Sequence, residues 1–123
     1  MTDERDIAGF VREHVGSVWA LELLLIMMRG GDRAWTVAQL VTELRGSPSL
    51  VSDNLARFEK SGLVTRAEGE GWRFAPANSV LATLVEDLAD AYRQRPVAII
   101  NIIARPADPV QGLADAFKLK GGN

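Results

Sequence analysis

Cysteine is absent from the chain, and histidine occurs once, at His14. The lack of cysteine excludes a disulfide framework and a zinc–thiolate site. One histidine leaves little material for a histidine-based metal site or for a nucleophile activated by a histidine. Glycine-rich stretches are also short, and Gly69 and Gly71 resemble a turn more than a phosphate-binding loop after a strand. We therefore expect no catalytic residues, no metal and no cofactor, and a protein that is not an enzyme.

Excess basic charge is also absent. The formal net charge is −2 and the isoelectric point is about 5.4. A protein that binds nucleic acid through a global positive field is thereby excluded. Any contact with DNA must come from a local patch of basic residues.

Long apolar runs are missing as well. The longest covers residues 18–28 and is interrupted only by Glu22. It is far shorter than the roughly 20 residues that span a bilayer, and it predicts a buried core helix. The first residues, MTDERD, are polar and acidic, unlike the basic start of a signal peptide. We therefore expect a cytoplasmic protein with no membrane partner.

The remaining composition is that of one globular domain over residues 1–123, with 47% hydrophobic and 24% charged residues. Helical spacing of apolar residues predicts a first helix at 4–15, capped by Asp3, and a second at 18–29, capped by Ser17. Asn78 or Ser79 is expected to cap a helix at 80–95. The β-branched run after Pro96 fits a short helix or a buried strand, and the proline favours a helix. A last helix is predicted at 109–118.

The segment at residues 35–74 has the most informative pattern. Thr36 and Gln39 form a predicted capping box for a helix at 37–44. A turn at Arg45 and Gly46 follows, and then Ser47 and a proline mark the start of a helix at 48–61. Alternating residues at 63–67 and 72–75, separated by a glycine-rich turn, predict a β-hairpin at 64–75. The predicted order is therefore helix, tight turn, helix and hairpin.

The stretch SPSLVSDNLARFEKSGLVTR resembles the recognition helix and wing entry of winged-helix transcriptional regulators, especially the MarR-like and ArsR-like groups. The matching positions are Ser47, Val51, Ser52, Leu55, Phe58, Glu59, Gly62, Leu63 and Val64. The resemblance implies a mainly α winged helix-turn-helix with a small β-hairpin wing and additional N- and C-terminal helices. The core would cover about residues 18–76 and the C-terminal extension about 79–120. It also implies a regulator of transcription that binds double-stranded DNA.

Apolar residues at Val51, Leu55 and Phe58 are expected to face inward and leave the other side of the 48–61 helix for the major groove. There Asn54 and Arg57 would reach base edges or phosphates, and Arg66 and Arg73 would place charge on the wing. The full predicted set is Ser47, Ser49, Ser52, Asp53, Asn54, Arg57, Lys60, Arg66 and Arg73.

A second hypothesis is a winged-helix module that binds a regulatory protein partner through apolar helices and does not bind DNA. Asp53 faces phosphate unfavourably, although it can accept a hydrogen bond from cytosine. Glu68 and Glu70 make the predicted wing tip acidic. For the DNA-binding hypothesis, a homodimer through the first two helices and the segment after Pro96 is the expected assembly, with folding back onto the same domain as its alternative.

Overall fold

The computed structural model describes residues 4–69 and 71–104, a mainly helical chain with one small two-stranded antiparallel sheet. Asp3, Glu70 and the helix predicted at 109–118 lie outside the described residues. The elements are α1 (Glu4–Phe10), a π-helical segment (Val11–Val15), α2 (Val18–Arg29), α3 (Val37–Leu44), α4 (Pro48–Lys60), β1 (Val64–Arg66), β2 (Trp72–Phe74), α5 (Ser79–Gln94) and α6 (Pro96–Ala104).

Most helices begin at a side-chain cap that the sequence predicts. The Ser17 hydroxyl accepts a hydrogen bond from a backbone N–H three residues later, and Ser47 does the same at α4. Thr36 and Gln39 form the predicted capping box reciprocally. At α5 the cap is Asn78. Each cap satisfies a backbone donor that the first helical turn leaves unpaired, and this fixes where the helix starts.

The first helix departs from the single α-helix predicted at 4–15. After Phe10 the helix widens into the π-helical segment Val11–Val15. Gly16 ends it with a left-handed φ of 81°, and its N–H donates to the carbonyl of Val11 at 2.9 Å. Widened turns of this kind are rare, and nothing in hydrophobic periodicity distinguishes them from an α-helix.

Helix α2 forms the centre of the core. Six of its residues are buried, among them Leu21, Leu24 and Met27, and none of these three is exposed to solvent at all. The prediction of a buried core helix is therefore confirmed. The burial occurs within the chain itself, so it removes α2 from the surface that we expected to meet a second copy.

The hairpin is shorter than predicted and is tied to the helices. Its register pairs Val64 with Phe74 and Arg66 with Trp72. Trp35, in the segment between α2 and α3, makes an antiparallel bridge to Trp72 through two backbone hydrogen bonds of 2.7 Å. Trp72 is buried, so the hairpin packs on the helices through this side chain.

Helix α5 packs on α2 through one polar contact as well as its apolar stripe. The Tyr92 hydroxyl donates to a Glu22 carboxylate oxygen at 2.9 Å. That hydrogen bond, burial and the charge of the carboxylate together raise the pKa of Tyr92. The one acidic residue of α2 thus has a defined partner.

The β-branched run after Pro96 is a helix, α6, and not a strand. The residues of α6 are almost all apolar, yet within Pro96–Ala104 only Ile99 is buried. Val97 and Ile100 are 68% and 37% exposed. Of the elements expected to meet a second chain, α6 therefore presents the clearest apolar surface. No helix within the described part of the chain combines the length and the apolar character needed to cross a membrane.

Candidate nucleic-acid interface

Three contacts fix the turn between α3 and α4. Arg45 ends α3 in a left-handed conformation, with its N–H donating to the carbonyl of Val41 at 2.7 Å. The Trp19 indole N–H donates to the carbonyl of Leu44 at 3.4 Å. The Trp19 ring also lies so close to Gly46 that a Cβ there would be 2.5 Å from it. Because of these contacts, the direction in which α4 leaves α3 is fixed by α2 and not by the turn alone.

Helix α4 separates an inner face from an outer face as predicted. Val51, Leu55 and Phe58 have no exposure and pack into the core. The outer face carries short polar side chains, one apolar residue and both signs of charge. Its exposed residues are Ser49, Leu50, Ser52, Asp53, Ala56, Arg57, Glu59 and Lys60.

Asn54 does not belong to that outer face, which corrects the prediction that it reaches base edges. It is 8% exposed, and its Nδ2 donates to the carbonyl of Leu50 at 2.9 Å. The physical reason is helical spacing, because Asn54 lies three residues after Val51 and four before Phe58. Its amide group satisfies the backbone of its own helix.

Arg57 is also engaged within the chain. Its Nη2 donates to the carbonyl of His14 at 3.3 Å and to the carbonyl of Val15. These carbonyls belong to the end of the π-helical segment, where helical backbone leaves acceptors unpaired and carries partial negative charge. The guanidinium therefore caps the first helix, and the predicted role in reading bases does not fit its position.

A second contact joins the same two elements. The His14 Nδ1 and the Ser61 hydroxyl lie 2.8 Å apart, just beyond the end of α4. Together with the Arg57 bonds, this contact fastens the end of α4 to the end of the first helix. His14 is therefore a partly buried residue with a structural partner at the end of the first helix.

The two arginines of the hairpin differ in their surroundings. Arg66 lies over the Trp72 ring at 4.6 Å and within 4.0 Å of a Glu59 carboxylate oxygen. Arg73 is exposed on β2, and no described residue forms an ion pair with it. Arg73 is therefore the more available cation of the pair, while the charge of Arg66 is partly offset by Glu59.

Charge over α3, the turn, α4 and the hairpin is balanced. Residues 36–75 contain five basic and five acidic residues in the sequence. Of the acidic ones that the structure describes, all four are exposed, namely Glu43, Asp53, Glu59 and Glu68. Among the predicted contacts, Ser47 is occupied as the cap of α4, with its hydroxyl accepting from the Leu50 N–H at 3.1 Å. A positive surface is thus limited to a few separate side chains.

Sequence reasoning missed two residues of this surface. Arg45 is exposed at the turn, and no described residue pairs with its side chain. Its place beside the start of α4 is the signal that points to it, because helix-turn-helix turns lie near the nucleic-acid backbone. Leu50 is 41% exposed on the outer face of α4, where an apolar side chain fits either a thymine methyl group or a protein surface.

The described residues contain no cluster of three histidine, aspartate or glutamate side chains that would hold a metal ion. What they offer on α4 is an exposed surface of short polar side chains with isolated cations at its edges. Neither a protein-family model nor a curated protein matches this chain.

Proposed function

We propose that the chain is a winged helix-turn-helix regulator that binds double-stranded DNA, with α4 in the major groove and the β1–β2 hairpin as the wing. The order of α3, turn, α4 and hairpin supports this proposal. So does the bridge between Trp35 and Trp72, which anchors the hairpin beside the helix pair. A regulator of this kind acts in the cytoplasm.

The observation that carries the proposal is the shape of the outer face of α4. Ser49, Ser52 and Ala56 are exposed and small, so the helix backbone can approach base edges closely. The major groove is about 12 Å wide and admits one helix of roughly that diameter. Asp53 lies on the same face, where a carboxylate accepts a hydrogen bond from the cytosine amino group.

Phosphate contacts come from the edges of this surface. Arg45 precedes α4, Lys60 ends it and Arg73 lies on the wing, and all three are exposed. Arg57 and Asn54 are not among the proposed DNA contacts, because both hydrogen-bond within the chain. Arg66 contributes less to phosphate binding, because Glu59 offsets part of its charge. Three cations per protomer is a small number, so affinity must come from two copies that bind together.

A homodimer supplies those two copies. Val97 and Ile100 form an exposed apolar strip on α6 that a second chain can cover. Two-fold symmetry would then present two α4 helices to a near-palindromic site. The apolar strip lies on a different element from α4, so dimerisation leaves the outer face of α4 open.

The test is selection from a pool of random double-stranded fragments, followed by affinity measurements at several salt concentrations. Each phosphate contact adds about −0.9 to the slope of log K against log salt, which gives about −2.7 per protomer and about −5 for a dimer. Lys60→Ala and Arg73→Ala should each reduce the slope by about 1 per protomer. Arg93→Ala, on α5, is the matched control and should leave the slope unchanged. No fragment retained at low salt would overturn the proposal.

A second candidate function, a protein-interaction module without DNA binding, is favoured by two observations. Leu50 is exposed in the middle of the outer face of α4, and charge there is balanced. For such a module, Leu50→Ser would remove binding of the protein partner, while Lys60→Ala would have little effect. The same two variants have the opposite ranking if the ligand is DNA, so they separate the two functions.

A further inference from the structure

A groove of about 370 Å³ lies between the first helix, the end of α5 and α6, away from the outer face of α4. Its floor includes Ile7, Ile99 and Ala91, all of them at least nine-tenths buried. Ile102 and Ala98 of α6 form one wall. This volume falls within the range of about 300–1,000 Å³ that small-molecule sites occupy.

Charge around this groove has one sign. The charged residues among those that line it are Arg5, Arg12 and Arg95, and no carboxylate lines it. This is unexpected in a chain with a net charge of −2. A second groove, of about 700 Å³, contrasts with it, since Asp6 and Glu13 line that groove together with a cation.

Arg12 retains donors for a ligand. Arg12 is exposed on the π-helical segment, and no described residue forms an ion pair with it. Arg5 and Arg95 already interact within the chain, so they contribute positive charge to the rim, and Arg12 is the arginine that the carboxylate would contact. Guanidinium groups bind carboxylates through two parallel hydrogen bonds, which a single ammonium group cannot do.

The rest of the lining is aliphatic. It consists of isoleucine and alanine side chains, with no aromatic ring and no uncharged hydrogen-bonding side chain. A ligand that matches it has an alkyl body, because an alkyl chain loses no hydrogen bonds when it leaves water. The groove therefore combines an apolar channel with a cationic rim.

We infer that this groove binds the anion of a medium-chain fatty acid. The carboxylate lies at the rim against Arg12 and its neighbours, and the alkyl chain lies on Ile99 and Ile102. The inference goes beyond the proposed function and does not depend on DNA binding. Arg12 belongs to the π-helical segment, whose last carbonyls accept hydrogen bonds from Arg57, so an occupied groove contacts the element that anchors α4.

Calorimetric titration of the full chain with hexanoate, octanoate and decanoate, each below its micelle concentration, tests the inference. Burial of methylene groups predicts about a tenfold gain in affinity for each added pair until the groove is full. Decanol, which lacks the carboxylate, should bind at least fivefold more weakly than decanoate. Arg12→Ala should weaken decanoate binding by about tenfold, and Arg93→Ala, the matched arginine on α5, should not change it.

Ala98→Leu provides a variant that fills the groove without removing charge. Ala98 is exposed, and both residues favour helix, so the fold is retained and circular dichroism verifies it. This variant should abolish binding of decanoate, because the added side chain occupies the space of the alkyl chain. If decanoate binds equally to wild type, Arg12→Ala and Ala98→Leu, the acid partitions onto the exposed face of α6 and the inference is wrong. The inference is also wrong if none of the three acids binds, and this holds even if the reason is that a second copy of the chain covers the groove.

Discussion

Arg57→Ala is expected to destabilise the fold and not only to change the outer face of α4. In the structure its guanidinium donates to the last two carbonyls of the π-helical segment. A hydrogen bond from a charged donor contributes about 1.5–3 kcal/mol. Arg57 is an exposed residue, so we take the lower part of that range, about 1.5–2 kcal/mol for the pair of bonds. For a chain of this length, that loss lowers the melting temperature by roughly 5–10 °C.

The assay is chemical and thermal denaturation followed by circular dichroism. Lys60→Ala is the control, because Lys60 is exposed on the same helix and no described residue pairs with it. Its effect on the free energy of unfolding should stay within about 0.5 kcal/mol. Arg57→Lys should fall between the two, because an ammonium group keeps the charge near the helix end but loses the planar geometry of the guanidinium.

One result would refute this reasoning. If Arg57→Ala unfolds with the free energy of the wild type but loses its affinity for DNA, the arginine acts in the interface and not as a cap. Equal losses in stability and in affinity would instead support the cap, since a displaced α4 cannot dock correctly.

Two further predictions concern the core and one titration. Gly46→Ala should lower the free energy of unfolding by about 1–3 kcal/mol, because the new Cβ would overlap the Trp19 ring. Gly9→Ala, whose Cβ would meet no atom within 4 Å, should instead stabilise α1 by about 0.5–1 kcal/mol. Chemical denaturation of both variants checks these values. The pKa of Tyr92 is higher in the folded chain than in the unfolded chain. The hydrogen bond from its hydroxyl to Glu22 therefore stabilises the fold fully below the unfolded pKa of about 10. This stabilisation is lost as the pH rises through the higher folded pKa. The chain has one tyrosine, so phenolate absorbance reports this titration directly, and Glu22→Gln should move its midpoint down; an unmoved midpoint would contradict the assignment.

Local signals in the sequence account for the positions of the helices. The caps at Ser17, Thr36, Ser47 and Asn78 lie where predicted, because each depends on residues only two or three positions away. The helix after Pro96 was also predictable, from the preference of proline for a first helical turn.

The candidate site was less predictable, because its decisive contacts join distant parts of the chain. Nothing near Arg57 in the sequence indicates that its partners are the carbonyls of His14 and Val15. The ion pair of Arg66 with Glu59 likewise depends on how the hairpin folds beside α4. Asn54 is different, since its spacing from Val51 and Phe58 places it toward the core, and helical geometry alone predicts its burial.

The bridge between Trp35 and Trp72 has a consequence for the order of folding. Two strands of three residues are too short to be stable in water by themselves, so the hairpin cannot act as a local nucleus. It acquires its third partner only after the segment before α3 has been brought back from far along the chain, and this closure has an entropic cost. The backbone amides of the bridge should therefore exchange with solvent only when the whole domain unfolds, and the hairpin and the helices should form as one cooperative unit.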